Sequence, residues 1–285
     1  MSTPSAEEFI TPATPNPKIM LIVPAYNEEK TIARIAQSGL RLLKEGAISG
    51  FLVINDGSTD DTAAVAKECG ANVLEIAQKQ GKGNAFLQGA LYCARNKADI
   101  LITIDADLSG ELGKKHIDEM IRGLSEKING NDVKMSIYPC IEKGHISDSG
   151  LVSGQRAIKM RALNFMFSKA GEETEFSCSG PAQRFFEMVR GYGLERALNY
   201  QIQGWKLLSL DRGLWLEFER AYRTGRESAQ LSEAKNARAL IEDRSSKAAI
   251  LRSLHREKVF RAQRKQVMRK ATNPALICIN TPLMR

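Results

Sequence analysis

The sequence lacks the features that define disulfide-rich, zinc-binding and membrane-spanning proteins. Its 285 residues include five cysteines and three histidines, and no two cysteines form a CxxC pair. This spacing favours reduced thiols in a cytosolic protein over a disulfide framework or a zinc site. No stretch approaches the roughly 18 consecutive apolar residues that a membrane-spanning helix needs. We therefore expect a cytoplasmic protein that is soluble or at most peripheral on the inner face of a membrane.

Familiar phosphate-binding and nucleophile motifs are also missing. The segment GKGNAF at 81–86 lacks the spacer and the Ser/Thr of a P-loop, and it lacks the third glycine of the dinucleotide fingerprint. The sequence has no Gly-x-Ser-x-Gly elbow, and its histidines are too scattered to nominate a catalytic triad. ATP hydrolysis and NAD chemistry are therefore not supported.

What the sequence does contain, over residues 18–140, is an alternation of short apolar runs and longer helical patterns. This alternation is typical of βα units that build a mostly parallel sheet. In the helical pattern at 29–46, Ile32, Ile35, Leu42 and Leu43 fall near one face. The predicted strands are 19–24, 51–55, 72–76, 100–105 and 133–138. Sheets of this class carry their chemistry at the carboxyl ends of the strands.

After about residue 150 the alternation is lost. Helical patterns at 157–171 and 182–205 flank a segment of small residues, FSCSGPAQR, at 176–184. We expect this half to complete the domain and to face a second substrate. Beyond residue 225 the sequence predicts one or two long polar helices.

Two carboxylates, Asp105 and Asp107, follow the fourth predicted strand in the DxD segment DADLS. Two carboxylates in one loop repel each other, and a divalent cation would supply the partner that their burial requires. The alternative is a helix cap or a solvated turn. The sequence therefore predicts a candidate metal site, and the residues around the two carboxylates decide between metal binding and a solvated turn.

Polar segments also follow the other strands. After the first strand, Tyr26, Asn27 and Glu28 could present a ring and acceptors to a base and ribose, although Asn27 could instead cap the next helix. After the second, turn and cap chemistry accounts for most of NDGSTDDT but leaves Asp56 without a role. Lys82 lies between two glycines at the start of a predicted helix, where backbone N–H groups and the lysine can bind a phosphate. The alternative is a solvated lysine in a flexible turn.

Four polar segments follow one another along the first half of the chain: VPAYNEE at 23–29, NDGSTDDT at 55–62, GKGNA at 81–85 and DADLS at 105–109. In this order they resemble the segments of family 2 glycosyltransferases, with the polyprenyl-phosphate (dolichyl-phosphate) sugar synthases closest in pattern. The resemblance implies the α/β GT-A fold, a Rossmann-like, mostly parallel sheet flanked by helices, here with a C-terminal helical extension. The implied organisation is a flexible leader over 1–17, a GT-A domain over 18–225 with a nucleotide-sugar half (18–140) and an acceptor half (141–225), and a basic helical extension over 226–285.

The resemblance also implies roles for individual residues. Asp107 would be the main catalytic residue and would bind Mg2+ or Mn2+ on the donor diphosphate. VSGQR and FSCSGPAQRFF, which resemble acceptor-half motifs of the family, assign Arg156 and Arg184 to the acceptor or the diphosphate. Glu175 and Glu195 are the general-base candidates, needed where the acceptor is a hydroxyl. The implied nucleotide-sugar residues are Pro24, Ala25, Asn27, Glu28, Asp56, Lys82, Asn84 and Asp105.

The implied reaction is inversion at the anomeric carbon by direct displacement from a nucleoside diphosphate sugar. The acceptor would be a polyprenyl phosphate or another anionic molecule. A small phosphorylated acid, as in the related glucosyl-phosphoglycerate synthases, or a glycan is the alternative, because the chain lacks the membrane helices that many polyprenyl-phosphate synthases carry. A sugar-phosphate nucleotidyltransferase is less favoured, since VPAYNEE has no glycine. A non-catalytic protein that binds anions through its basic end is the third class.

The basic residues are concentrated near the end of the sequence. Residues 244–270 hold ten Lys or Arg and a single acid, Glu257. Such a segment is attracted to an anionic membrane surface by on the order of 1 kcal/mol per well-placed residue. Its apolar residues form no clean stripe, so a solvated or partner-binding helix is the alternative. Nucleic-acid binding is not expected.

Overall fold

A seven-stranded, mostly parallel sheet organises the part of the chain that the structure describes. The structure is a computed structural model that describes residues 16–108, 110–128, 130–138, 141–142, 145–146, 153–170, 173–189, 193–202 and 205–207. The strands are β1 (Ile19–Ala25), β2 (Gly50–Asn55), β3 (Val73–Glu75), β4 (Ile100–Thr103), β5 (Lys127–Ile128), β6 (Asn131–Asp132), β7 (Met135–Ile137), β8 (Ile141–Glu142), β9 (His145–Ile146), β10 (Arg156–Lys159), β11 (Phe167–Ala170), β12 (Glu173–Phe176) and β13 (Trp205–Leu207). The helices are α1 (Ile32–Lys44), α2 (Thr62–Glu68), α3 (Lys82–Arg95), α4 (Lys114–Leu124), α5 (Gly180–Met188) and α6 (Leu194–Gln201), with a 3-10 helix at Met160–Met166.

The strand order of the large sheet is β13-β7-β10-β4-β1-β2-β3. Neighbours from β4 to β3 are parallel, and so are β13 and β7. Strand β10 lies antiparallel between β4 and β7, with Arg156 paired with Thr103. The amino end of β10 therefore lies beside the carboxyl end of β4. Three further pairs, β5–β6, β8–β9 and β11–β12, form separate two-stranded sheets.

Helices cover both faces of the large sheet. Alternate residues of β1 enter two different apolar clusters: Leu21 packs with residues of α1 and α4 on one face, and Ile22 packs with residues of α3, α5 and α6 on the other. This follows from the two-residue period of a strand. Because both faces are covered, all seven residues of β1 are buried. A central parallel strand therefore has a continuous apolar sequence, as observed here.

The five predicted strands of the first half are confirmed. Strands β1 and β2 are each one residue longer than predicted, whereas β3, β4 and β7 are two or three residues shorter. The helical pattern at 29–46 corresponds to α1, in which Ile32, Ile35 and Leu42 are buried. The placement of Leu43 on the same face is wrong: Leu43 is 39% exposed, because it lies one residue, about 100°, around the helix from Leu42. The α/β fold class is confirmed by this arrangement.

The predicted helix over 157–171 is wrong. These residues form β10, the 3-10 helix and β11. Ala157 and Ile158 enter the clusters on opposite faces of the sheet, as neighbouring strand residues do. Pairing with β4 and β7 has overridden the local helical pattern. The second predicted helix, 182–205, is divided into α5 and α6.

Several sequence predictions fall outside the described residues. The leader (1–17) is described only from residue 16, and the extension (226–285), including the basic segment 244–270, lies entirely outside. The domain boundaries therefore stay predictions. Within the described ranges, no helix combines the length and apolar character needed to cross a membrane.

Candidate active site

The predicted site residues of the first half lie near the carboxyl ends of three adjacent strands, β4, β1 and β2. Asn27 follows β1, Asp56 follows β2, and Asp105 and Asp107 follow β4. Because these strands are parallel neighbours, their ends open at one edge of the sheet. The fold thus gathers residues that are up to 80 positions apart in the sequence, as the difference between 27 and 107 shows.

The loop after β1 is bonded to the loop after β2. The backbone N–H of Asn27 donates to Ser58 Oγ at 3.0 Å, and Asn27 Oδ1 accepts from the N–H of Thr59 at 2.9 Å. The N–H of Glu28 donates to Thr62 Oγ1 at 2.7 Å. The alternative in which Asn27 caps the next helix is wrong, since α1 has no side-chain cap. Asn27 instead fixes two loops of the site to each other.

Asp56 holds the turn that leads into α3. Its carboxylate is 2% exposed and accepts from the N–H of Gln80 at 2.9 Å and from that of Gly81 at 2.7 Å. Burial raises the pKa of this carboxyl, and the two backbone hydrogen bonds oppose that rise. Gly57 beside it has φ +66°, and a Cβ there would lie 2.5 Å from the backbone nitrogen of Lys79. Asp56 therefore has a structural role that the sequence did not reveal.

Lys82 lies between two carboxylates that come from distant parts of the chain. Its Nζ is 2.5 Å from Asp105 Oδ1 and 2.7 Å from Glu195 Oε1. Burial alone would lower the pKa of this ammonium, but the negative charges of Asp105 and Glu195 outweigh it and raise that pKa above its ordinary value. Lys82 is therefore a permanent cation that joins the start of α3, the loop after β4 and the first turn of α6.

Asp105 has a second partner that sequence reasoning missed. Gln155 Nε2 donates to Asp105 Oδ2 at 3.2 Å. A Cβ on the adjacent Gly154 would lie 2.2 Å from Asp105 Oδ1, so that only glycine fits against this carboxylate. Both residues lie in VSGQR, from which the sequence analysis took only Arg156. Asp107, two residues farther on, is 8% exposed.

The remaining nucleotide-sugar predictions lie around the same strand ends. Pro24 and Ala25 are the buried last residues of β1, and Asn84 is in the first turn of α3, where its N–H donates to Gly81 O. The ring of Tyr26 lies 4.3 Å from the Nζ of Lys79, a cation–π contact. No contact with a nucleotide is tested by these placements, so the binding roles stay predictions.

The acceptor-half predictions are placed in different surroundings. Arg156 is 1% exposed, and its guanidinium donates to Ser153 O at 2.8 Å and to Asn199 Oδ1 at 2.6 Å. Arg184 is exposed on α5, and Glu175 is exposed on β12. Glu195 is the base candidate that contacts Lys82. Arg156 therefore connects residue 153, just before β10, to α6 through hydrogen bonds of its buried guanidinium.

Comparison with known proteins relates part of the chain to one family. Residues 20–134 match the family model described as glycosyl transferase family 2. The 4,4'-diaponeurosporenoate glycosyltransferase of Staphylococcus aureus is 30% identical over 126 residues, which cover 42% of this chain and 31% of the relative. An uncharacterized protein of Methanocaldococcus jannaschii is 33% identical over 105 residues, covering 37% and 41%. The chain therefore spans about a third to two fifths of the length of these relatives.

Solved structures with the same fold include glucosyl-3-phosphoglycerate synthase from Mycobacterium tuberculosis. Its complex with Mg2+ and UDP aligns with a TM-score of 0.55 at 19% identity over 79% of each chain. Its complex with Mn2+, UDP-glucose and phosphoglyceric acid gives 0.55 at 20% identity, also over 79% of each chain. This likeness shows the fold, and the sequence match relates residues 20–134 to the family. Residues 20–134 therefore resemble a family 2 glycosyltransferase domain, and the described part of the chain has the GT-A fold.

Proposed function

We propose that this chain transfers a sugar from a nucleoside diphosphate sugar to an anionic acceptor, in a metal-dependent reaction that inverts the anomeric carbon. The observation that carries the proposal is the ion pair of Lys82 with Asp105, two residues before the buried Asp107, at the strand ends of a domain that matches family 2. The glucosyl-3-phosphoglycerate synthase of similar fold binds a divalent cation and UDP. Pro24, Ala25, Asn27, Glu28, Asp56 and Asn84 complete the proposed donor pocket.

The residues present fit Mg2+ or Mn2+ on the donor. Within the described residues, no group of three or more His, Cys, Asp or Glu is arranged to hold a metal ion. Mg2+ in nucleotide enzymes is usually held by one or two carboxylates together with substrate phosphates, so a complete protein cage is not required. Asp107 supplies the proposed carboxylate ligand. When bound, the cation would neutralise the charge that develops on the leaving diphosphate.

The chain's own charges prepare the site for this reaction. The Lys82 ammonium lies between Asp105 and Glu195, so the three groups together carry one net negative charge, which a divalent cation would offset. The ammonium holds both carboxylates in place before a donor binds. Glu195, held by this contact on α6, is the better placed of the two base candidates. A base is needed for a hydroxyl acceptor, whereas a phosphate or carboxylate acceptor is already ionised near pH 7.

Nucleotide binding provides the first test. UDP and GDP, each with Mn2+ and again with EDTA, would be added to the wild-type protein in a thermal-unfolding assay. A diphosphate at 100 times its dissociation constant stabilises the fold by about 2.7 kcal/mol. We expect a metal-dependent rise in melting temperature that is lost in Asp107→Ala and kept in Asp118→Ala, a control on the exposed face of α4. No rise with either diphosphate in the wild type would refute the proposal.

Acceptor class and stereochemistry need separate measurements. We propose a phosphorylated acceptor, because the solved synthase of the same fold binds phosphoglyceric acid. We place the enzyme in the cytoplasm, and at the inner membrane surface if the acceptor is a lipid. Flotation of the full chain with anionic vesicles tests the membrane-surface location. Reversing Arg264 and Lys265 to Glu should release the protein, whereas reversing Lys44 and Lys115, a matched charge change elsewhere, should not. Proton NMR of the sugar product reports inversion or retention directly.

A further inference from the structure

We propose that Gln155 is a positioning residue of the donor site, which fixes the carboxylate of Asp105 while Gly154 leaves that carboxylate the space it occupies. The inference deepens the proposed function and rests on it. Neither residue is among the predicted site residues, and neither lies within the segment that matches the family model, residues 20–134.

The orientation of the Gln155 amide follows from its two neighbours. An ionised carboxylate can only accept, so the amide atom that faces Asp105 Oδ2 must be the nitrogen, Nε2, at 3.2 Å. The amide oxygen, Oε1, then faces Ser153 Oγ at 2.6 Å. Ser153 Oγ in turn accepts from the N–H of Gln155 at 3.2 Å and contacts Tyr138 O. Asp105 therefore sets the orientation of the amide, and the single hydroxyl proton of Ser153, which faces both Gln155 Oε1 and Tyr138 O, supports that orientation when it is donated to Oε1.

This group of side chains is buried and cannot easily rearrange. Ser153 is 0% exposed and Gln155 is 1% exposed. A buried amide that lost its partners would leave polar atoms without hydrogen bonds, which is costly in a site of low dielectric. The Ser153–Gln155 pair is therefore a rigid support for the carboxylate.

Lys82 and Gln155 hold the two oxygens of Asp105 from different sides. Lys82 Nζ binds Oδ1 and Gln155 Nε2 binds Oδ2. A carboxylate with a donor on each oxygen has a defined plane, which is the preorganisation that a binding site requires. With Gly154 pressed against the same carboxylate, a single added methyl group would have to displace it.

The direction of β10 explains why these residues reach the site. In an antiparallel strand the residues just before the strand lie beside the carboxyl end of its neighbour, and Arg156 pairs with Thr103 at that end of β4. Residues 153–155 therefore arrive next to the loop that carries Asp105 and Asp107.

The test measures binding of UDP and of GDP, each with Mn2+, by titration calorimetry at pH 6 and pH 8. Gln155→Met removes the amide without adding charge, and we expect binding to weaken by about tenfold to a hundredfold at both pH values, since a hydrogen bond to a charged group is lost. Gln155→Glu places a carboxyl beside Asp105. At pH 8 that carboxyl is ionised and repels Asp105, whereas at pH 6 burial and the neighbouring charge favour its protonated form, which can donate to Oδ2.

The pH profile separates positioning from a purely structural role. Gln155→Glu should regain most of its binding on going from pH 8 to pH 6, while the wild type and the surface control Gln37→Glu should not show this gain. Gly154→Ala should lose binding, whereas Gly113→Ala, where the added Cβ lies 3.9 Å from its nearest neighbour, should not. Circular dichroism and melting temperature establish which variants fold, and the Gln155 series decides the case if Gly154→Ala does not.

The outcomes distinguish the inference from the function on which it rests. If the wild type binds a diphosphate and Gln155→Met and Gln155→Glu bind it equally well at both pH values, the positioning role is overturned and the proposed function stands. If the wild type binds neither UDP nor GDP, both fall together. Weakened binding in Gln155→Met with pH-dependent recovery in Gln155→Glu supports the assignment.

Discussion

Replacing Lys82 with Met should destabilise the protein, because it leaves two carboxylates without their shared cation. The side chains of Lys82, Asp105 and Glu195 are 24%, 19% and 10% exposed, so all three are mostly withdrawn from water. Each hydrogen bond between charged groups contributes about 1.5–3 kcal/mol, and partial exposure reduces this. We therefore expect the free energy of unfolding to fall by about 2–4 kcal/mol at pH 7.

Denaturant unfolding of four variants would test this value. Lys115→Met is the matched control, since it makes the same change at an exposed position of α4. Glu195→Gln and the double variant with Lys82→Met complete a double-mutant cycle. The double variant should lose less stability than the sum of the single losses, because removing Glu195's charge relieves the carboxylate that Lys82→Met leaves unpaired. A strictly additive cycle, or a Lys82→Met cost within about 0.5 kcal/mol of the control, would refute the reasoning.

The contribution of Lys82 to stability has a pH dependence of definite sign. Because the pKa of Lys82 is raised in the folded state, that state holds the proton more tightly than the unfolded state does, and stability falls as the pH rises through the alkaline range. Lys82→Met lacks this group, so denaturant unfolding should show a smaller alkaline loss of stability in the variant than in the wild type. In the wild type the contribution of Lys82 is present at neutral pH and is lost only in strongly alkaline solution.

Two further substitutions test the packing around α3. Gly83→Ala should lower the melting temperature by several degrees or prevent folding, because the new Cβ would lie 1.6 Å from Val189 O. The control Gly113→Ala should melt near the wild type. Similar melting curves for the two variants would contradict the contact between Gly83 and Val189. Asp56→Ala should speed hydrogen exchange of the amides at residues 80–81, which both donate to its carboxylate. Unchanged protection of both amides in NMR would show that other groups hold that turn.

The first half of the fold was predictable because its strands are covered on both faces. β1, β2 and β4 therefore appear as continuous apolar runs, and polar residues mark where each one ends. β10 was not predictable in this way. Its four residues have a helical neighbourhood in the sequence, and only pairing with β4 and β7 makes them a strand.

The residues of the Lys82 ion pairs could be selected from the sequence, but their contacts could not. Lys82, Asp105 and Glu195 were all selected from the sequence, yet Lys82 and Glu195 are 113 positions apart and no local pattern connects them. The partners of Asp56 are backbone N–H groups, which every residue other than proline carries, so their identity leaves no signal in the sequence. Gln155 was overlooked because an uncharged amide is common in proteins, and only its hydrogen bond to Asp105 Oδ2 marks it here.

The reversal of β10 bears on which changes this edge of the sheet can accept. Strands β1 and β4 reach the edge at their carboxyl ends, whereas β10 leaves it from its amino end. Residues 153–155 therefore contact Asp105 just before the chain enters the paired residues 156–159. A substitution at 153–155 would alter the support of that carboxylate, while the register between β10 and β4 would stay as it is.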